Sequence, residues 1–240
     1  MQYLIENSIS FSIGIVFAIS MLILTVILLL RRREFTGTKK QAYLLLSLAL
    51  LFFGIGHIIW NLRAVFVPRF TTAILLLPYW QGFWASIMLS ITFLGLWGLQ
   101  LTRPEWYQNR KWVVIILFIP WIAVILNVLF LTDPNTAVIV CSALINDIQP
   151  NLFQILLVGL SLTLFIGLAF DYYYRCYRSH PTKLYPFIAL LGLVLILFGG
   201  ILETKVIPIC QIITMGRILM LLGFWLTSIG ILRITPLTSK

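Results

Sequence analysis

The sequence predicts an all-α, polytopic membrane protein: seven transmembrane helices forming one domain over residues 1–240. Three observations carry that expectation. The 240 residues are 61% hydrophobic and only 10% charged, whereas soluble domains carry about 25% charged residues. Seven apolar stretches are each long enough to cross about 30 Å of hydrocarbon at 1.5 Å per residue. The basic residues gather in alternate turns between those stretches.

One set of turns holds Arg31, Arg32, Arg33, Lys39, Lys40, Arg103, Arg110, Lys111, Arg175, Arg178, Lys183, Arg233 and Lys240. The other set holds only Arg63, Arg69 and Lys205, and Arg217 lies inside a span. Basic residues stay on the cytoplasmic side of an inserted chain, so the N-terminus is expected outside and the C-terminus in the cytoplasm. The net charge of +10 does not point to nucleic acid. It comes from short clusters at the ends of apolar runs, where anionic headgroups attract them. Membrane lipids are therefore the expected contacts.

The first span, 8–30, follows a start with no positive charge, Met1-Gln2-Tyr3-Leu4-Ile5-Glu6-Asn7. No small-residue cleavage site comes after it, so it is expected to remain as an anchor. The second span, 42–66, carries a polar stripe at helical spacing: Ser47, Gly54, His57 and Asn61. The third, 72–101, is too long for hydrocarbon alone, and its first part up to Pro78-Tyr79-Trp80 is expected along the outer interface. Pro120 should kink the fourth, 112–132. The outer connection Asp133–Pro150 contains the apolar run Ala137 to Val140, expected as a short hairpin or a surface segment. The fifth, sixth and seventh spans are expected at 151–170, 185–202 and 208–232, with Asp171–Leu184 a cytoplasmic turn.

Small residues recur at helical spacing on three spans: Gly82, Ser86 and Ser90; Gly159, Thr163 and Gly167; Gly192, Gly199 and Gly200. They are expected to allow close helix contact. Trp60, Trp80, Trp106, Trp112 and Tyr172 to Tyr174 are expected to anchor helix ends at the interface.

A polar stripe in lipid must turn toward protein or water. His57 could make an interhelical hydrogen bond, contact a ligand, or coordinate a metal-centred pigment. With no second His in a span, a metal cluster is not expected. Arg217 lies about nine residues, or roughly 14 Å, inside the seventh span. A guanidinium at that depth normally has a partner, and Glu203 is the nearest acid in sequence. Snorkelling, an anionic ligand and a Glu203–Arg217 ion pair are the open readings. Cys141 and Cys210 fall on the oxidising side and Cys176 on the reducing side, so a Cys141–Cys210 disulfide is expected.

Several chemistries lack their residues. No span holds a Ser/His/Asp set, a Gly-rich phosphate loop or paired carboxylates, and an enzyme is not expected. The seventh span has no lysine for a retinal Schiff base. No cofactor is expected beyond the pigment alternative at His57.

Arg31-Arg32-Arg33 precedes a Leu/Ala-rich second helix with Gly and Trp near its end. An aromatic start to the third helix, the turn Leu101-Thr102-Arg103, Ile119-Pro120, and Leu131-Thr132-Asp133-Pro134 follow. In this order the chain resembles the seven-helix N-terminal membrane region of some bacterial histidine kinases. The resemblance implies a bacterial cytoplasmic-membrane sensor. In that family the seventh helix continues into a cytoplasmic output domain, so output here is expected through a partner protein. A ligand is expected among His57, Asn61, Trp84, Asn127 and Arg217, in the outer half of the bundle. The alternatives are a structural subunit of an energy-converting or photosynthetic complex, and a small seven-helix transporter. The transporter lacks its internal repeat here.

Overall fold

The computed structural model describes residues 2–66, 73–102, 104–109, 111, 113–115, 122, 137–138, 147–148, 152–179, 184–203 and 210–233. Six long helices dominate: α1 (Gln2–Arg31), α2 (Gly37–Phe66), α3 (Ala73–Thr102), α5 (Leu152–Ser179), α6 (Leu184–Glu203) and α7 (Cys210–Arg233). A short helix, α4 (Pro104–Gln108), follows α3, with proline at its first position where no backbone donor is needed. Four of the helices contain stretches long and apolar enough to cross a membrane: Phe11–Glu34, Gly37–Arg63, Leu77–Thr102 and Leu184–Leu202. α7 contributes a shorter apolar stretch, Thr214–Gly230.

The helices close into a ring. α1 packs on α2, α2 on α3, α3 on α5, α5 on α6 and α6 on α7, and α7 returns to α1. Each contributes to one core, which includes Phe17, Met21, Leu28, Leu46, Leu50, Trp97, Ile166, Tyr173, Leu193 and Met220. α1 shows how the sequence selects this packing. Gly14, Phe17, Ala18, Met21, Leu24, Thr25 and Leu28 recur at steps of three and four and are buried. Ile15, Ile19, Ile23, Val26 and Leu30 lie on its other face, exposed and still apolar. A helix that is apolar all round has to be covered, and lipid is the cover available to an outward face.

The turns rich in Lys and Arg come together at one end. Arg31 donates a hydrogen bond from its guanidinium to the Leu232 carbonyl, joining the last turns of α1 and α7. Gln100 Nε2 donates to the Thr38 carbonyl and to Gln41 Oε1, joining the end of α3 to the start of α2. Tyr43, Tyr172, Tyr173 and Cys176 cluster at this basic end. At 28 residues, α5 spans about 42 Å, more than hydrocarbon needs, so its last turns project beyond the predicted span.

That projection corrects the expected turn at Asp171–Leu184: the chain stays helical to Ser179. An Asp171–Arg175 ion pair at 2.7 Å braces the extra turns, and Tyr173 and Cys176 bury their inner face. α2 likewise begins at Gly37, ahead of residue 42, with a polar first turn. α3 runs without interruption through Pro78, so its first turns continue the axis of the helix; its membrane-spanning stretch starts at Leu77. Pro78 sits early in the helix and removes only one ladder bond. Trp60, Trp80 and Tyr173, expected as interface anchors, are buried. They pack against other rings, whereas Trp106 is exposed.

Of the predicted fourth span, 113–115 and 122 are described and are helical; Pro120 and Asn127 lie outside the described residues. In the connection 133–150, for which a short hairpin or a surface segment is expected, Ala137–Val138 pairs antiparallel with Asp147–Ile148, the one strand pair among the described residues.

The small-residue expectations divide. On α6 and α7 the backbones nearly touch: a Cβ at Gly223 would lie 2.6 Å from the Gly192 carbonyl. Gly199 faces Gly216 and Met220, and Gly230 faces Ala189 and Tyr185. Gly216, Gly223 and Gly230 recur every seven residues, the spacing that keeps one seam turned to an antiparallel neighbour at a shallow crossing angle. On α3, a Cβ at Gly82 would lie 3.1 Å from the Ile59 side chain, and Ser86 and Ser90 are buried. On α5, in contrast, Gly159, Thr163 and Gly167 are exposed, and that stripe packs on no other helix of the ring.

Candidate functional site

The polar stripe of α2 faces α1. Ser47 lies beside Thr25, whose hydroxyl donates to the Ser47 carbonyl at 3.4 Å and to the Met21 carbonyl at 2.8 Å. Gly54 lies against Met21 and the Ala18 carbonyl. Asn61 lies against Gly14, where an added Cβ would stand 2.8 Å from its amide. Two members of the stripe satisfy themselves on their own helix. The Ser47 hydroxyl donates to the Tyr43 carbonyl at 2.6 Å, and Asn61 Nδ2 donates to the His57 carbonyl at 2.7 Å. Glycine on either side of α2 thus lets a polar helix face pack closely, with its donors closed four residues back.

His57 differs from its neighbours in what surrounds it. It is 6% exposed, and its ring lies among phenylalanines from three helices. Phe17 of α1 is edge-on at 4.6 Å, Phe53 of α2 is tilted at 4.9 Å, and Phe83 of α3 is edge-on at 5.5 Å. Phe224 of α7 touches Phe17 at 5.4 Å and Phe53 at 5.2 Å. Rings from α1, α2 and α3 therefore surround one imidazole, and Phe224 of α7 backs two of them. Ring edges carry partial positive charge and ring faces partial negative charge, so edge-on contacts of this kind are attractive. An imidazole offers polar nitrogens that phenyl walls do not.

Phe83 connects this enclosure to a second group of rings. It lies 5.5 Å from Trp84 and 5.7 Å from Trp60, and Trp80 lies 6.1 Å from Trp84. The Arg63 guanidinium stacks over Trp60, its Cζ 3.4 Å from the ring centroid. That cation–π contact places a buried positive charge six residues beyond His57 along α2.

Of the residues expected to line a ligand site, the structure brings His57, Asn61 and Trp84 into one neighbourhood. Arg217 stands apart from it: it is half-buried on α7, seven residues or roughly 10 Å from Phe224 along the helix. The Glu203 side chain, Asn127, Cys141 and the side chain of Cys210 lie outside the described residues, so the Glu203–Arg217 pair and the Cys141–Cys210 bridge do too. The remaining cysteine, Cys176, is buried beside Tyr172. Burial pushes its thiol above the ordinary range, and a hydrogen bond with Tyr172 pulls it back only in part. A thiol held protonated is a poor nucleophile. Among the described residues no group of three or more His, Cys, Asp or Glu side chains could hold a metal ion.

The phenylalanine enclosure and the Arg63–Trp60 stack were not singled out from sequence. Phe53 and His57 are four residues apart on α2, a visible signal. Phe17, Phe83 and Phe224 come from three other helices and become neighbours only through the ring closure.

No protein-family model matches the chain, and neither the curated proteins nor the solved structures contain a match.

Proposed function

We propose that this chain is a receptor-like membrane module with seven spans, its N-terminus outside and its C-terminus in the cytoplasm. It binds a small apolar or anionic molecule in the half of the bundle that holds His57, and signals through a partner protein. The observation that carries this reading is the buried imidazole enclosed by phenylalanines of α1, α2 and α3, two of which pack on Phe224 of α7. Ligand sites are mostly apolar with a few polar groups that fix orientation, and this neighbourhood has that character. An occupant wedged there would change the spacing of α1 and α7. Those two helices meet again at the basic end through Arg31 and the Leu232 carbonyl, so a shift at one end has a direct route to the other. Arg63, stacked on Trp60 beside these rings, supplies positive charge for an anionic group.

The test is ligand-dependent stability. Purified protein stripped of small molecules should gain melting temperature when an extract of its native membranes is added back, because a ligand that binds only the folded state stabilises it. His57→Leu should show no gain. An equal gain in His57→Leu would place the site elsewhere.

A second reading, a subunit of a larger membrane complex, is favoured by the exposed Gly159, Thr163 and Gly167. The Thr163 hydroxyl donates to the Gly159 carbonyl at 2.7 Å, leaving a smooth surface four residues apart in register that suits a helix of another chain. Gly159→Leu should then dissociate a stoichiometric membrane partner on gentle extraction. A partner retained by that variant would exclude this face as the contact.

A further inference from the structure

We propose that the turn joining α1 to α2 is a binding site for the headgroup of one anionic phospholipid, with Arg32, Arg33, Lys39 and Lys40 as its cationic walls. Five basic residues and a single acid, Glu34, occupy positions 31–40. Only one of the five is committed within the turn. Arg31 donates to the Leu232 carbonyl and lies 3.7 Å from Glu34. Arg32 Nε is buried and finds no hydrogen-bond acceptor among the described residues. Arg33 and Lys40 are exposed and Lys39 half-buried.

The backbone of the turn is held in place. Arg32 to Glu34 form a 3-10 turn closed by the Phe35 N–H donating to the Arg32 carbonyl at 3.3 Å. The Phe35 ring stacks on Tyr43 of α2 at 4.8 Å and 22°. Gly37, at φ 58°, takes the left-handed conformation that starts α2. A turn fixed by a stacked ring and a glycine corner presents its cations in one arrangement, so binding need not order them first.

The position selects a lipid as the source of the anion. The turn directly follows the apolar stretch of α1, at the level where headgroups lie. Other basic residues at this end are committed or spread: Arg175 pairs with Asp171 at 2.7 Å, and Arg178 stands exposed on α5. A phosphodiester offers acceptor oxygens to the cationic side chains of the turn, and the lysines complete its neutralisation.

The test uses the full chain reconstituted in nanodiscs of phosphatidylcholine mixed with phosphatidylglycerol, followed by native mass spectrometry of the lipid released with the protein. The intact protein should retain phosphatidylglycerol over phosphatidylcholine. Lys39→Gln and Lys40→Gln should each lower that retention about five-fold, equivalent to about 1 kcal/mol per basic residue at an anionic surface. Neither side chain is buried, so both variants should fold. Arg178→Gln, an equal loss of charge at the same end, should leave retention unchanged. An equal fall in Arg178→Gln would show diffuse attraction and overturn the site. Displacement of the lipid by inorganic phosphate at matched ionic strength would assign the turn to a soluble anion and overturn it as a lipid site.

Discussion

His57 and Asn61 stand one helical turn apart on α2. The Asn61 amide closes on the His57 carbonyl within α2, so Asn61→Ala should cost about 1 kcal/mol, the net worth of one such bond, and leave ligand binding intact. Thermal unfolding and the add-back assay separate the two effects. The converse change, Gly14→Val, brings a side chain within 2.8 Å of that amide and should be more damaging than Asn61→Ala although it removes no polar group. Arg217 is a different case: it stands half-buried on α7, apart from the His57 rings, and an anionic ligand there is a proposal. Arg217→Leu should lose an anionic ligand while the melting temperature holds. A fall in melting temperature with ligand retained would instead assign Arg217 to an ion pair with Glu203, whose carboxylate the change would strand.

At the scale of elements, the α6–α7 hairpin has the tightest backbone contact and should tolerate substitution least. Gly223→Leu inserts a side chain where a single Cβ already lies 2.6 Å from the Gly192 carbonyl. Overpacking of this kind costs about 1–3 kcal/mol, visible as a lower melting temperature in detergent. Gly167→Leu, on the exposed face of α5, should leave the isolated protein's stability unchanged. The spans around 72–101, 185–202 and 208–232 were legible within two residues of where the helices run, because runs of apolar residues ended by charge or proline mark them directly. The end of α5 was not legible from apolarity alone. Asp171 and Arg175 look like a turn by charge, but four residues apart on a helix they form an ion pair. The two faces of the small-residue stripes were equally hidden, since Gly159 and Gly192 have the same local pattern and differ only in which helix stands opposite. In the candidate site, the polar stripe on α2 was visible as a period. Its partners Gly14, Phe17 and Thr25 on α1, and the aromatic walls from α3 and α7, depend on ring closure that no local pattern encodes.

For the whole molecule, two proposals rest on the ring of helices. The first is topology: the clusters at Arg31 to Arg33, Lys39, Lys40, Arg175, Arg178 and Arg233 meet at one end, and positive residues favour the cytoplasmic side. Reporter fusions at Lys240 should read cytoplasmic, and fusions near Asn135 should read external. The second is the proposed receptor action through His57, whose imidazole is buried among rings of α1, α2 and α3. Native mass spectrometry of the gently extracted protein, comparing the intact chain with His57→Leu, tests this most directly. The account predicts a bound small molecule of constant mass, distinct from phospholipid, that is present in the intact protein and missing from a folded His57→Leu. An intact protein carrying lipid alone, or a His57→Leu variant that keeps the same molecule, would contradict it.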